Sequence, residues 1–140
     1  MLSTIWVGPF WMLMLVEPFS ERTGTWLKGN MLFLGPLGVW LLATILNPSG
    51  LLDLFTGNPV EFFDTMVSLL GTETGTVLAW AHFVAGDIMA TRWMWRKGIE
   101  NQIGINQIRI IVFFGVMLMP VGLLLHVILN RNSGTTSNTE

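Results

Sequence analysis

Apolar residues run almost unbroken through four stretches of the chain, about residues 2–16, 31–46, 76–95 and 108–129, with polar or turn-forming segments between them. Each approaches the ~20 residues that cross ~30 Å of hydrocarbon at 1.5 Å per residue. The first contains Pro9 and stops at "EPFSER", where Glu17 and Pro18 end the pattern. "GPLG", Gly35 to Gly38, gives the second a point of flexibility and close packing. Between them and the third lies a segment with its own pattern: Asn58 as N-cap, Pro59 at the first helical position, Glu61 where a capping box places an acid. Phe62, Phe63, Met66, Val67 and Leu70 then recur at helical spacing, with Asp64 and Ser68 opposite, which predicts a short amphipathic helix lying at an interface or covering the bundle end. Gly98 is expected to end the third helix as its C′ residue, and Pro120 to kink the fourth. The pattern predicts an all-α protein: an integral membrane four-helix bundle over residues 1–130 with one interfacial helix between spans 2 and 3, and a polar disordered tail over 131–140.

Composition sharpens this. Of 140 residues 51% are hydrophobic and only 11% charged, and the mean hydropathy is +0.59, well below the charge content of a soluble domain. The formal charge of -2 and the absence of a basic stripe argue against nucleic acid as a partner; the bilayer is the expected one. With no cysteine there is no disulfide, thiolate nucleophile or iron–sulfur cluster. Among seven Trp, Trp6, Trp11, Trp26, Trp93 and Trp95 suit the interfaces. No cleavable signal is evident, as no basic n-region or small-residue cleavage site accompanies the first apolar run. Arg22, Lys28, Arg92, Arg96, Lys97 and Arg109 fall on one side of a four-span scheme and Arg131 on the other, so both termini are expected on the non-cytoplasmic, or non-stromal, side.

The third stretch carries the candidate chemistry. An ionisable residue at mid-membrane costs about 2.5–3.5 kcal/mol on insertion scales, so Asp87 must face the bundle or a wet cavity, as a functional group or as a protonated staple between helices. His82 and Arg92 each lie ~140° around the helix from it, whereas Phe83, Ala90 and Thr91 share its face. Its partner is expected on another helix. Counting along the helices puts Asp87 roughly 13 Å deep and the Val116 carbonyl, freed by Pro120, about 12 Å deep. The same counting puts His82 and His126 together in the outer half, a combination open to proton transfer, haem ligation or binding the magnesium of a chlorophyll. Glu-x-x-His pairs, and with them a di-iron centre, are absent, and no metal is expected. Glu100, Asn101 and Gln102 stand near the bundle mouth, while Arg96 and Lys97 read as topology determinants.

The run "WAHFVAGDIMATRWMWRKGIENQI", Trp80 to Ile103, resembles the core motif of the plant neoxanthin synthase family, the abscisic-acid-deficient-four-like membrane proteins. Trp80, His82, Asp87, Arg92, Gly98, Glu100 and Asn101 match that motif in order, and a weaker similarity covers about residues 5–128; Gly104 to Gln107 depart from a basic pair in the plant members. The resemblance implies a thylakoid, plastid or bacterial inner-membrane protein that isomerises a 5,6-epoxy-carotenoid to an allene with no net redox change. Such a reaction needs an acid to open the epoxide and a base to remove a proton. Asp87 and His82 are the expected pair, with Trp80, Arg92, Glu100, Asn101 and His126 as binding or orienting residues. No cofactor is required on this reading, although a carotenoid or chlorophyll would be the bound group. The rival reading is a non-catalytic pigment-binding or scaffolding subunit of a larger membrane complex, such as a photosynthetic one.

Overall fold

The computed structural model describes residues 2–133, and side chains as far as residue 130. Among these residues the chain is all helical: α1 (Leu2–Val16), α2 (Glu21–Lys28), α3 (Met31–Leu46), α4 (Pro48–Thr56), a 3-10 turn (Pro59–Glu61) leading into α5 (Phe62–Leu70), α6 (Glu73–Glu100), α7 (Ile105–Met117) and α8 (Met119–Ser133). The first three residues of the expected tail are thus helical, and 134–140 lie outside the described residues. By length and composition one stretch among them, Glu21–Leu46, is long and apolar enough to cross a membrane; Leu2–Val16, Ile105–Met117 and Met119–Asn130 are shorter apolar helices.

Tryptophan N–H groups fix the relative directions of the helices. Trp80 donates to Thr4 Oγ1 at 2.8 Å, and Trp95 donates to the Pro18 carbonyl at 3.0 Å, so α1 and α6 run parallel from an upper to a lower end. The chain then turns back along α1. Ser20 caps α2 by accepting from Arg22 N–H, the rings of Phe10 and Trp26 lie 6.1 Å apart, and Trp6 donates to the Met31 carbonyl at 3.0 Å. Gly35 lies so close to the Trp6 side chain that a Cβ has no room there. Together α2 and α3 form one helical path antiparallel to α1, interrupted at Gly29 and Asn30.

The segment between α3 and α6 holds two helices at the upper end where one was expected. Asn58 caps as the sequence suggests, accepting from Val60 N–H at 3.1 Å. Phe63 and Val67 of α5 are 71% and 67% exposed, so its apolar face points away from the protein. Its polar residues Glu61, Asp64 and Ser68 face Asp53 of α4 across an open cavity of about 620 Å³.

Helix α6 is longer at both ends than the expected 76–95, and Gly98 does not cap it. Gly98 lies inside the helix, where a Cβ would come within 3.2 Å of Ile108 Cγ1. The helix ends instead on Gln102 at φ 53°, with Gln102 N–H donating to the Ile99 carbonyl at 3.0 Å and Ile103 N–H to the Gly98 carbonyl at 2.9 Å. That pair of bonds is a Schellman ending with a non-glycine C′ residue.

The largest correction concerns residues 108–129, expected as one kinked span. They form two antiparallel helices. At Leu118, φ −148° and ψ 78°, the backbone leaves the helix, and Pro120 falls in the first turn of α8, where its missing N–H costs nothing. Gly122 meets the backbone of Gly115 directly, an approach that a side chain at Gly122 would block, while a side chain at Gly115 would strike Thr91 and Met94 of α6. Helix α8 then descends beside α6: the His126 ring lies 5.1 Å from that of Trp93, and Asn101 donates to Asn130 Oδ1 at 2.7 Å. Asn130 therefore stands at the lower end, beside the turn that starts α7. Because this hairpin fills only the lower half, the core gathers there, around Met14, Leu27, Ile88, Met94, Ile108 and Val112.

This hairpin makes a direct prediction. In a straight 105–130 helix the ends would be ~38 Å apart. The chain has no native cysteine. Paired Asn101→Cys and Asn130→Cys substitutions should be bridged by oxidation or a short bismaleimide, read as a gel shift after cleavage between them; failure of both reagents would refute the hairpin.

Candidate functional site

Along one stripe of α6 lie Trp80, Asp87 and, one turn further, Thr91. Thr91 is fully buried against Gly115 near the end of α7, which brings Asp87, one turn higher, level with the tip of the α7–α8 hairpin. Asp87 is half-buried and makes no hydrogen bond or ion pair among the described residues. The expected bond to the Val116 carbonyl is not formed: α7 stops just beyond Val116, and Pro120 removes a donor from α8, not from the helix that carries Val116. Midway between the two tryptophan anchors, Trp11 on α1 is level with Asp87. Its indole Nε1 and the Thr91 hydroxyl are both buried without a hydrogen-bond partner. Leaving such groups unpaired costs on the order of 1–3 kcal/mol each. Unpaired donors and a free carboxyl in one layer of the fold are what a bound polar group would satisfy.

The other expected site residues are dispersed. His82 is exposed on the opposite side of α6 from Asp87, with only the Phe83 ring beside it at 6.4 Å. His126, 2% exposed, is packed against Trp93 in the lower half, because α8 folds down; it does not meet His82 in the upper half as expected. Its Nδ1 has no hydrogen-bond partner among the described residues. Arg92 donates to the Lys28 carbonyl at 3.2 Å and stands 5.9 Å from the Phe33 ring centre, so it closes the break between α2 and α3. Arg109 does the same for α1, donating to the carbonyls of Leu15 and Val16, both at 2.9 Å. A cation over the last carbonyls of a helix offsets the negative end of its dipole. Glu100 pairs with Lys97 at 2.7 Å, and the hydrogen bond and charge of Lys97 hold its carboxyl below the ordinary glutamate value. Asn101 is engaged with Asn130.

Trp80, 50% exposed, belongs to a cavity of about 430 Å³ walled by Ile5, Val39, Thr76 and Val77. A second cavity of about 570 Å³ continues past Ile5 and Val39 to Trp6, Phe10 and Trp26. Both are open on one side and almost wholly apolar in lining, and together they form a groove along α1 and α3. Among the described residues no three His, Asp or Glu side chains gather as a metal would require.

Sequence reasoning placed Thr91 on the Asp87 face but gave it no part, and read Trp11 as interfacial. The signal for Thr91 lay in the partner helix, since Gly115 decides how closely α7 approaches it.

Comparison with known proteins bears on this arrangement. A family model described as ABA DEFICIENT 4-like matches residues 1–126. The curated protein "Protein ABA DEFICIENT 4, chloroplastic" of Arabidopsis thaliana is 29% identical over 127 residues, covering 89% of this chain and 56% of that protein. The chain thus spans little more than half the length of this relative. No solved structure matches.

Thr91→Val should raise stability by about 1 kcal/mol, because a methyl replaces a buried hydroxyl that has no partner. The check is the thermal unfolding midpoint of ligand-free protein in detergent; a clear fall would mean that the hydroxyl is bonded.

Proposed function

This chain belongs to the ABA DEFICIENT 4-like family, and on that footing we propose that it is a membrane protein of carotenoid metabolism that isomerises a 5,6-epoxy-carotenoid to an allene. The observation that carries the reading is Asp87: an unpartnered carboxyl at the hairpin tip, on the same stripe of α6 as the Trp80 cavity ~10 Å above it. The α1–α3 groove suits a long rigid apolar chain entering from lipid, with its oxygenated end ring reaching the layer of Asp87, Thr91 and Trp11.

Chemically, removal of the C7 proton lets that electron pair form the C6–C7 double bond while the C6–O bond breaks. The oxygen stays on C5 and takes up a proton as a tertiary alcohol, so atoms and electrons balance without an oxidant. Since His82 lies across the helix, the two proton transfers fall to Asp87 alone. In its protonated form a carboxyl has an O–H donor on one oxygen and an acceptor on the other, and can give and take a proton in one encounter. On this reading the Thr91 hydroxyl and the Trp11 N–H hold the opening oxygen, which requires the packing of Gly115 on Thr91 to loosen when substrate binds. His82 retains a role as a contact on the lipid side, and Arg92 and Asn101 act by fixing the helices that frame the site.

In the membrane the chain crosses three times, by α1, by α2 with α3, and by α6, and the α7–α8 hairpin enters half-way from the lower side. Irregular backbone at its tip is then surrounded by protein. Residue 131 falls at the lower end with the other six Lys and Arg positions, while Asp53, Glu61, Asp64 and Glu73 occupy the upper end. On this reading the lower side is stromal or cytoplasmic and α8 ends there, whereas the four-span scheme would end it on the opposite side. The chloroplastic designation of the Arabidopsis relative supports a plastid or related photosynthetic membrane.

In a host that makes violaxanthin, expression should yield neoxanthin. Asp87→Asn should cut conversion by about 10²-fold or more while the protein remains inserted, and His82→Gln should retain most of it. Full conversion by Asp87→Asn would remove this residue from the mechanism and leave the pigment-binding role, which needs only the groove.

A further inference from the structure

The lower end holds more positive charge than its contacts neutralise. Lys28 closes α2, and Arg92 and Arg96 occupy successive turns of α6, near enough for Arg96 to repel Arg92. Like charges at this spacing destabilise a helix. The carbonyl and ring that Arg92 contacts carry no net charge. Glu100, the adjacent acid, is taken up by Lys97 at 2.7 Å. Among the described residues neither Lys28 nor Arg96 forms an ion pair within 4 Å; the charge of Arg96 acts on Glu100, but that carboxylate is bonded to Lys97. These two cations line one cavity of about 200 Å³, whose remaining wall is Gly24, Leu27, Trp95, Ile99 and Glu100, the carboxylate held by Lys97.

A cavity of that size is below the range of sites for drug-sized ligands, yet has room for a phosphate and a small alcohol. Its two sides match the two parts of a phospholipid, with cations beside the headgroup and aliphatic and aromatic side chains beside the first acyl carbons. Its depth matches too, since it lies at the lower, basic end, where a leaflet rich in anionic lipid meets the protein. We propose that this cavity is a binding site for an anionic phospholipid, whose phosphate sits between Lys28 and Arg96. The proposal rests on the membrane location inferred above but not on carotenoid chemistry. The lipid would supply the counter-charge that the chain does not, and would bind α2 to the end of α6.

The test uses the full chain in nanodiscs of phosphatidylcholine with a minor fraction of phosphatidylglycerol, and counts the lipids retained after detergent extraction by native mass spectrometry. Phosphatidylglycerol should be retained in preference to phosphatidylcholine. Lys28→Gln and Arg96→Gln should each weaken retention about fivefold, Arg96→Lys should restore it, and Arg22→Gln, a lower-end cation outside this cavity, should leave it unchanged. Equal retention of the two lipids, or full retention by the doubly substituted protein, would overturn the site. Displacement of the lipid by millimolar inorganic phosphate would show a site for free anions and overturn the lipid assignment. A chain washed from membranes by alkaline carbonate would instead overturn the membrane reading, which keeps the two failures distinct.

Discussion

The contact between Gly115 and Gly122 decides the shape of this protein. Two helix backbones touch there without intervening side chains, and only that allows a chain leaving α7 at Leu118 to return along its own flank. Everything in the lower half follows. The hairpin completes the core around Met94 and Ile108, buries Thr91, brings Asn130 to Asn101, and stops short at the level of Asp87. Above it the same stripe of α6 stays uncovered, which is why Trp80 remains half exposed beside an open cavity.

A second constraint governs the polar groups. Each interruption in a helix leaves carbonyls without donors, and in an apolar setting these must be met by side chains. Arg92 meets the break after α2, Arg109 the end of α1, and Trp95 the turn at Pro18. Several of the residues that a motif comparison singles out, Arg92, Asn101 and Trp80 among them, are thus tied into helix packing. Asp87 is the charged member of the motif that packing leaves unused, and for that reason it bears the proposed chemistry.

The helical class, the first two apolar helices to their end residues, and the Asn58 cap were legible in the sequence because they depend on local periodicity and capping. The family was legible from the polar positions between Trp80 and Asn101. What the pattern could not disclose was tertiary. Residues 110–129 are apolar but for His126, so their periodicity is the same whether the path is straight or folded. Pro120 gave the relevant signal, but a proline is equally at home at a kink and in the first turn of a new helix. Misplacing that turn sent His126 to the wrong half and gave Asp87 a partner it does not have. Likewise Gly98 resembled a cap because a glycine near a helix end usually is one, whereas here its missing side chain admits Ile108 and Gln102 takes the left-handed position.

The account stands on the hairpin being re-entrant, and the absence of cysteine makes that open to a clean measurement. Single cysteines at Asn58, Asn106 and Ser133 would be labelled with a membrane-impermeant maleimide in sealed vesicles of known orientation. Labelling of Asn106→Cys and Ser133→Cys from one side, and of Asn58→Cys from the other, is the result the proposed topology predicts. Labelling of Ser133→Cys from the same side as Asn58→Cys would mean that the last helices cross the membrane, and would contradict it.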